Sequence, residues 1–310
     1  MDKCPKVSIF TCVYNRADKI DRVFSSVKNQ TYSNIEHVII DDGSTDGVEL
    51  LIRDYISQVD YPVIFRKKDN GGKHTATNMA WRLATGDFIV QLDSDDELLP
   101  NAVERLVNLW FEIPENERDK YWCAQARVRT QKSECVYGDL YPENINSLSP
   151  ESKRKVAMTI SGEKIGLMRA DIIKQYKYPE PKFVKFVSEG VLWKPLNKKY
   201  LTWYTNDIVR VYYVDDGECL STPPKTRQTL TNKCWLARWS MENAKYYENI
   251  NYKKELLRYS IFWQNCLSEY KEENGFMSPK VGCVNKVFLA LMYIPSLMIA
   301  PILRIKWNLD

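Results

Sequence analysis

The chain has 310 residues, 44% hydrophobic and 12% aromatic, with a formal net charge of +4 at pH 7; that is enough apolar side chain for one large core or two smaller ones and too much for a disordered chain. Eight cysteines contain no CxxC pair and are joined by only two histidines, His37 and His74, which leaves no zinc constellation and points to free thiols in a reducing compartment. From residue 221 onward 13 Lys/Arg face 7 Asp/Glu, against 31 and 33 before it, so the basic excess is C-terminal and suits an anionic lipid surface better than nucleic acid.

The first residues, MDKCPKVSIFTCVYNR, lack a basic n-region followed by an apolar stretch, so a cytoplasmic chain is expected. Val7 to Val13 reads as a strand, after which Ile20, Val23, Phe24 and Val27 recur on one helical face. Ile35 to Ile40 is a second strand, followed by helical spacing at Val48, Leu51, Ile52 and Tyr55. Val63 to Arg66 predicts a third strand, Lys73 to Ala84 a helix, the run from Phe88 a fourth strand, and Val103, Leu106, Val107 and Trp110 another helix. This alternation predicts an α/β fold with a mostly parallel sheet flanked by helices, in which ligands bind beyond the carboxyl ends of the strands.

Polar clusters stand at three of those ends: Tyr14-Asn15-Arg16, Asp41-Asp42-Gly43-Ser44 and Asp93-Ser94-Asp95-Asp96. A lone strand-end aspartate is usually a turn or helix-cap residue, but three polar ends on one edge suggest a nucleotide crevice. No GxGxxG or P-loop glycine pattern accompanies them, so a diphosphate would be held by metal and side chains. Asp93 and Asp95 supply the hard oxygen ligands that Mg²⁺ or Mn²⁺ takes together with substrate phosphates. The competing reading is that these aspartates only cap the helix opening near Asn101.

The segments VSIFTCVYNRADKIDRVFSSVKNQTY, IIDDGSTDG and NGGKHTATNMAWRLATGDFIVQLDSDD resemble the family 2 glycosyltransferases, over about residues 5–110 and more weakly to about 220 through FVSEGVLWKPL. The resemblance implies an inverting, nucleotide-sugar-dependent enzyme with a GT-A (Rossmann-like) fold. It further implies that Thr11, Cys12, Tyr14 and Asn15 line the base pocket and that Asp42 reads the nucleobase. Asp93, Ser94 and Asp95 would form the DxD that contacts ribose and metal, with Asp93 and Asp95 as metal ligands. Lys73 and Asn78 would lie near the diphosphate or sugar. Thr11-Cys12-Val13 departs from the Pro-containing turn of many members.

Inverting transfer needs one carboxylate to accept the acceptor hydroxyl's proton, and Glu189 in FVSEGVLW matches the family's acidic residue before a helix. A helix N-terminal carboxylate favoured by the helix dipole is the plainer reading of Glu189, and Asp96 is the rival base. Residues around Ser161 to Lys164, and from Tyr178 to Lys185, read as the acceptor side. Trp193, Trp203 and Tyr204 fit either a core or a sugar-stacking surface.

Beyond residue 221 the α/β rhythm ends in a helix-rich stretch, Lys225 to Glu273, with interleaved aromatics, read as a helical bundle or a basic aromatic surface. Val287 to Leu303 then runs 17 residues without a charge, interrupted by Pro295 and Pro301 and flanked by Lys286, Arg304, Lys306 and Trp307. That is short for a span of roughly 20 residues and suits an interfacial or re-entrant anchor; a true span and a buried hairpin or oligomer contact are the alternatives. The expected organisation is a donor half at 1–110, an acceptor half with the base at 111–220, a C-terminal helical extension at 221–283 and a membrane-associating segment at 284–310. The expected partners are a nucleotide-sugar donor, with UDP the default that the resemblance implies, a glycan or lipid-linked glycan acceptor, and the inner membrane face, with Mn²⁺ or Mg²⁺ as cofactor. A non-catalytic nucleotide-sugar scaffold and a DxD-type phosphohydrolase are the alternatives; against the latter, Asp96 and Glu97 follow the DxD where a small or apolar residue is usual.

Overall fold

A computed structural model describes residues 4–214 and 226–243, with further helical positions between 287 and 302. It divides into two units, one of Met1–Lys177 with Leu196–Asp215 and one of Tyr178–Pro195 with Asp216–Asp310.

The first unit opens with β1 (Val7–Val13), α1 (Ile20–Lys28), β2 (Ile35–Asp41), α2 (Val48–Ser57), β3 (Val63–Lys67), α3 (Lys73–Leu83) and β4 (Phe88–Gln91). The short β5 (Glu97–Leu98), α4 (Ala102–Phe111), β6 (Tyr121–Thr130), α5 (Pro150–Thr159), β7 (Lys164–Arg169) and α6 (Ala170–Ile173) follow. Helix α7 (Gly190–Lys199) then leads to β8 (Leu201–Tyr212). One eight-stranded sheet in the order β3-β2-β1-β4-β7-β6-β8-β5 draws its strands from both sides of residue 110. Strands β1 to β4 pair in parallel, while β7 runs antiparallel to both β4 and β6, and β8 runs parallel to β6. The carboxyl ends of β1, β2, β3, β4, β6 and β8 therefore share one edge.

Every residue of β2 is buried, as are all but Cys12 of β1, because helices cover both faces of the sheet. The apolar spacing read from the sequence becomes that cover. Ile20, Val23, Phe24 and Val27 of α1, Val48, Ile52 and Tyr55 of α2, and Val103, Leu106, Val107 and Trp110 of α4 are all buried in the main core. The antiparallel half, invisible in the first-half rhythm, buries Ala124, Ala126, Val128, Ile165, Leu167, Leu201 and Val209 in the same core.

Between β6 and β7 the chain makes a long excursion, pinned to the sheet by two buried cations. Lys153 Nζ donates to the Tyr121 hydroxyl and the Asn146 carbonyl, both at 3.0 Å, and lies over the Tyr121 and Trp203 rings. Arg127 Nη2 donates to the carbonyls of Tyr137 and Ser161. Those two backbone stretches cross so closely that a Cβ on Gly162, whose φ is +85°, would stand 2.0 Å from the Tyr137 carbonyl oxygen. Trp203 packs edge-on against Tyr121 and Tyr204 against Tyr141, so both belong to this packed layer.

In the second unit α8 (Arg227–Glu242) is capped by Thr226, whose hydroxyl accepts the Thr229 amide, and buries Leu230, Cys234, Ala237 and Met241 at helical spacing together with Trp235. The aromatics expected beyond Asn243, and Lys286, Arg304, Lys306 and Trp307, lie outside the described residues. Within 287–303 the described positions are helical, and Val287, Leu291, Ile294, Met298 and Ile302, spaced along one helical face, are exposed. Among the described residues no helix is long and apolar enough to cross a membrane.

The edge opposite the strand ends is fastened by one carboxylate. Glu36, at 1% exposure, accepts hydrogen bonds from the Ser8 hydroxyl and from the amide and hydroxyl of Thr85, each at 2.6 Å, and pairs with Lys6 Nζ. Gly86 closes the arrangement, since a Cβ there would sit 2.7 Å from the Ser8 hydroxyl and the Lys6 carbonyl. Burial by itself would raise the Glu36 pKa, but the bonds from Lys6, Ser8 and Thr85 outweigh it and hold the carboxyl at about 2, below its ordinary 4.5. A depressed carboxylate stabilises the fold above its unfolded pKa, and that contribution disappears as pH falls from about 4.5 toward 2. Glu36→Gln should therefore cost about 2 kcal/mol at pH 7, with the gap to wild type closing over that acid window in urea melts taken across pH.

Candidate functional site

The register of the sheet sets the strand ends side by side. Val13 lies opposite Asp41, Asp41 opposite Lys67, and Phe10 opposite Gln91. The Asp42 amide then donates to the Val13 carbonyl, and the Leu92 amide to the Phe10 carbonyl. All three polar clusters consequently lie on one rim.

Asp42 organises one side of it. Its side chain is buried; Oδ1 accepts Lys68 Nζ at 2.7 Å and the Gly71 amide at 3.0 Å, and Oδ2 accepts the Gly72 amide at 2.7 Å. This fixes the turn that delivers Lys73 to the amino end of α3. Asn15 adopts φ +49°, a conformation that asparagine tolerates better than most residues, and works as a staple. Its amide donates to the Ser44 hydroxyl and its Oδ1 accepts the Thr45 amide, tying the loop after β1 to the loop after β2. Tyr14, beside it, is about half exposed.

Thr11 and Cys12 point to opposite faces of β1. The Thr11 hydroxyl is buried 3.1 Å from His37 Nε2, whose Nδ1 is 2.9 Å from the Tyr55 hydroxyl, and burial drives the His37 pKa down to about 3. Thr11 thus belongs to a neutral polar cluster within the core. Cys12 Sγ faces Thr77 on α3 at 3.7 Å, and burial pushes its thiol up to about 12, which leaves it protonated at neutral pH. Asn78 is half-buried on the second turn of the same helix.

The aspartate cluster divides its carboxylates among three cations from three elements. Asp93 Oδ1 accepts Lys73 Nζ at 2.7 Å and Gln91 Nε2 at 3.2 Å. Burial would raise its pKa, but the charges of Lys73 and Arg210 and these bonds hold it at about 2. Asp95 Oδ2 lies 3.7 Å from Arg16 Nε, and the Asp95 carbonyl accepts Arg22 Nη1. Asp96 is fully buried, with Oδ1 accepting the Tyr213 amide and Oδ2 3.4 Å from Arg210 Nη1. Burial lifts Asp96 to about 7 against the opposing charge of Arg210, with Asp93 and Asp95 adding to the rise. Full burial also bars Asp96 from meeting an acceptor hydroxyl. Arg210 Nη2 also lies 3.7 Å from Glu163 Oε2, on the turn before β7. Ser94, between the two motif aspartates, is half-buried.

No cluster of three or more metal-binding side chains occurs among the described residues. Two adjacent carboxylates with no nitrogen or sulfur ligand fit a Mg²⁺ or Mn²⁺ that completes its shell with phosphate oxygens and water. Asp93 and Asp95 are the two aspartates that retain some solvent access. Lys68, Arg210 and Tyr213 carried no local signal, because their partners are 26, 114 and 117 residues away in the chain.

Glu189 lies in the second unit, immediately before α7. Its carbonyl accepts the Leu192 and Trp193 amides, and its carboxylate accepts the Trp193 indole N–H at 3.3 Å. The indole four residues on thus orients the carboxylate over the first turn.

Several known proteins are similar to this chain. A Haemophilus influenzae glycosyltransferase is 37% identical over 108 residues, 34% of this chain and 33% of its own length. Escherichia coli chondroitin synthase is 41% identical over 105 residues, 34% of this chain and 15% of that protein; in both, the match spans a third or less of the relative. The GalNAc(5)-diNAcBac-PP-undecaprenol β-1,3-glucosyltransferase of Campylobacter jejuni aligns with 97% of this chain and 98% of its own length at 22% identity. Among solved structures, S. aureus TarS 1-349 in complex with UDP-GlcNAc covers 94% of this chain and 81% of its own at TM-score 0.55 and 18% identity. The Pyrobaculum calidifontis mannosyltransferase PcManGT, in complex with GDP-Man and Mn²⁺, covers 96% and 75% at TM-score 0.52 and 16% identity. These neighbours share the GT-A fold expected from the sequence. The profile of "Glycosyl transferase family 2" matches residues 8–165, half of the chain, and the protein therefore belongs to glycosyl transferase family 2.

Proposed function

We propose that this chain transfers a sugar, with inversion, from a nucleotide-diphosphate donor, a UDP-sugar first, to a hydroxyl of a glycan or lipid-linked glycan at the cytoplasmic face of a membrane. The observation that carries this reading is the rim itself: Asp93 and Asp95 half-open at the strand end, with Lys73 at the amino end of α3 held beside them by the Asp42-anchored turn. UDP-GlcNAc in the TarS complex and the undecaprenol-linked substrate in the name of the Campylobacter relative support the donor and acceptor classes.

A divalent cation on Asp93 and Asp95 would draw charge off the departing diphosphate. The chain supplies the remainder. The Lys73 ammonium, at the amino end of α3, offers a positive charge to phosphate oxygens. Tyr14, half exposed after β1, would cover the base beside the Asp42 turn. Glu189, oriented by the Trp193 indole, accepts the proton of the attacking hydroxyl, so that one in-line displacement inverts the anomeric carbon. The exposed apolar stripe Val287, Leu291, Ile294, Met298 and Ile302 supports membrane attachment, and the basic flank Lys286, Arg304 and Lys306 would meet anionic headgroups. A surface-bound transferase would face its lipid-linked acceptor without crossing the bilayer.

Three outcomes test this reading. UDP with Mn²⁺ should raise the melting temperature of the full chain, while GDP does not, and Asp95→Ala should abolish the shift; a folded sample indifferent to every nucleoside diphosphate removes the donor site. Glu189→Gln should lower turnover by about 10² to 10⁴-fold with the UDP-induced melting shift intact, and normal turnover in that variant places the base elsewhere. In flotation with vesicles containing an anionic lipid, the wild-type chain should float and Leu291→Glu/Ile294→Glu should remain in the soluble fraction; equal flotation of both rules out the stripe as the anchor.

A further inference from the structure

The three aspartates of the motif do not hold their cations in the same way. The Lys73 and Asp93 side chains are 27% and 31% exposed, and those of Arg16 and Asp95 are 30% and 38% exposed. The Arg210 and Asp96 side chains are 5% and 0% exposed. Arg16 Nε, at 3.7 Å from Asp95 Oδ2, is beyond hydrogen-bond distance, and Arg16 Nη1 donates instead to the adjacent Asn15 carbonyl. A half-exposed ion pair of that geometry separates at little cost. Arg210 is held by the packing around it and has no such freedom.

We infer that Arg16 and Lys73 are exchangeable counter-ions: they occupy Asp95 and Asp93 while no metal is bound and move to the diphosphate when a divalent cation takes those carboxylates. This rests on the donor-site reading above and assigns Arg16 a donor-phosphate contact. The exchange conserves charge. A divalent cation brings two positive charges and a nucleotide-diphosphate sugar two negative ones, so two carboxylates pass to the metal and two side-chain cations pass to the phosphates. An ammonium 2.7 Å from Asp93 Oδ1 neutralises that carboxylate and repels an incoming divalent cation, which makes Lys73 a competitor for the site. Both cations are already at the rim, one from the loop after β1 and one from the first turn of α3, on stems long enough to swing without moving the backbone. Arg210 remains on Asp96 throughout and keeps the buried third carboxylate compensated beneath the metal.

The test is a pair of titrations on the full chain, Mn²⁺ alone followed by electron paramagnetic resonance and UDP in saturating Mn²⁺ followed by calorimetry, for wild type, Arg16→Gln, Lys73→Gln and Arg16→Lys. Exchange predicts effects of opposite sign. Either glutamine variant should bind Mn²⁺ alone about threefold more tightly, because the competitor is gone, and UDP about tenfold more weakly, because a charged phosphate contact is lost. Arg16→Lys should recover most of the UDP affinity. A merely structural role would weaken both ligands together, and that result, or unchanged UDP affinity in both glutamine variants, overturns the inference. Should a glutamine variant not fold, Arg16→Lys and the other variant still decide it. A wild-type chain that binds Mn²⁺ but no nucleotide overturns the transferase reading, and this inference with it.

Discussion

Three carboxylates within four residues, at the end of a buried strand, repel one another by about 4 kcal/mol for each pair at 4 Å and an effective dielectric of 20. Much of the architecture of the rim answers that repulsion. The β1 loop supplies Arg16, α3 supplies Lys73 and β8 supplies Arg210, so a cluster contiguous in sequence is neutralised by elements spread across some 190 residues. Only a sheet that brings β1, β4 and β8 to a common edge can do this. The reversed strand β7, which lets β6 and β8 run in the same direction as β4, is therefore as necessary to this rim as the aspartates themselves.

The same chemistry settles differently at the two edges of the sheet. Glu36 and Asp96 are both removed from water, yet their pKa values move in opposite directions, to about 2 and about 7. Burial raises both; the number of donors aimed at each decides the sign. Glu36 receives two hydroxyls, an amide and an ammonium. Asp96 receives one amide on Oδ1, while its buried Oδ2 has only the Arg210 guanidinium near it, without a hydrogen bond. The lower edge is thus a satisfied anchor, and the upper edge carries an incompletely satisfied carboxylate at the strand-end rim.

Much of the first half was legible because its two periods differ. Helical spacing at Ile20, Val23, Phe24 and Val27 and the apolar runs of β1 and β2 placed the elements, and the elements placed three polar clusters on one rim. What sequence could not supply was side-chain direction at single positions. Thr11 and Cys12 are neighbours, but a strand alternates faces; Thr11 faces His37 on β2, within the core, and Cys12 faces Thr77 on α3. Asn15 read as part of a pocket wall and is a staple between loops. Lys68 and Arg210 had no motif at all, since their meaning comes from Asp42 and Asp96, distant in the chain and adjacent only after folding. The second-half strands escaped for a related reason: β6 and β8 carry Arg127, Gln125, Tyr204 and Asn206 inward toward the excursion, and such polar positions blur the apolar pattern that marks a strand.

That excursion is built on a different electrostatic plan from the strand-end rim. Its two pinning cations, Lys153 and Arg127, hold carbonyls, a hydroxyl and aromatic faces and make no ion pair with a carboxylate among the described residues. Burial lowers the Lys153 pKa, since nothing negative offsets the desolvation beyond a distant Glu117. Because these contacts are largely to backbone, they constrain the path of the segment while leaving its outward side chains free to vary. Tyr137 and Leu140 stand exposed on it. A rigidly pinned backbone with unconstrained outer residues is the arrangement in which specificity can change without loss of the fold. The strand-end rim has less latitude, because its carboxylates and cations depend on one another for charge balance.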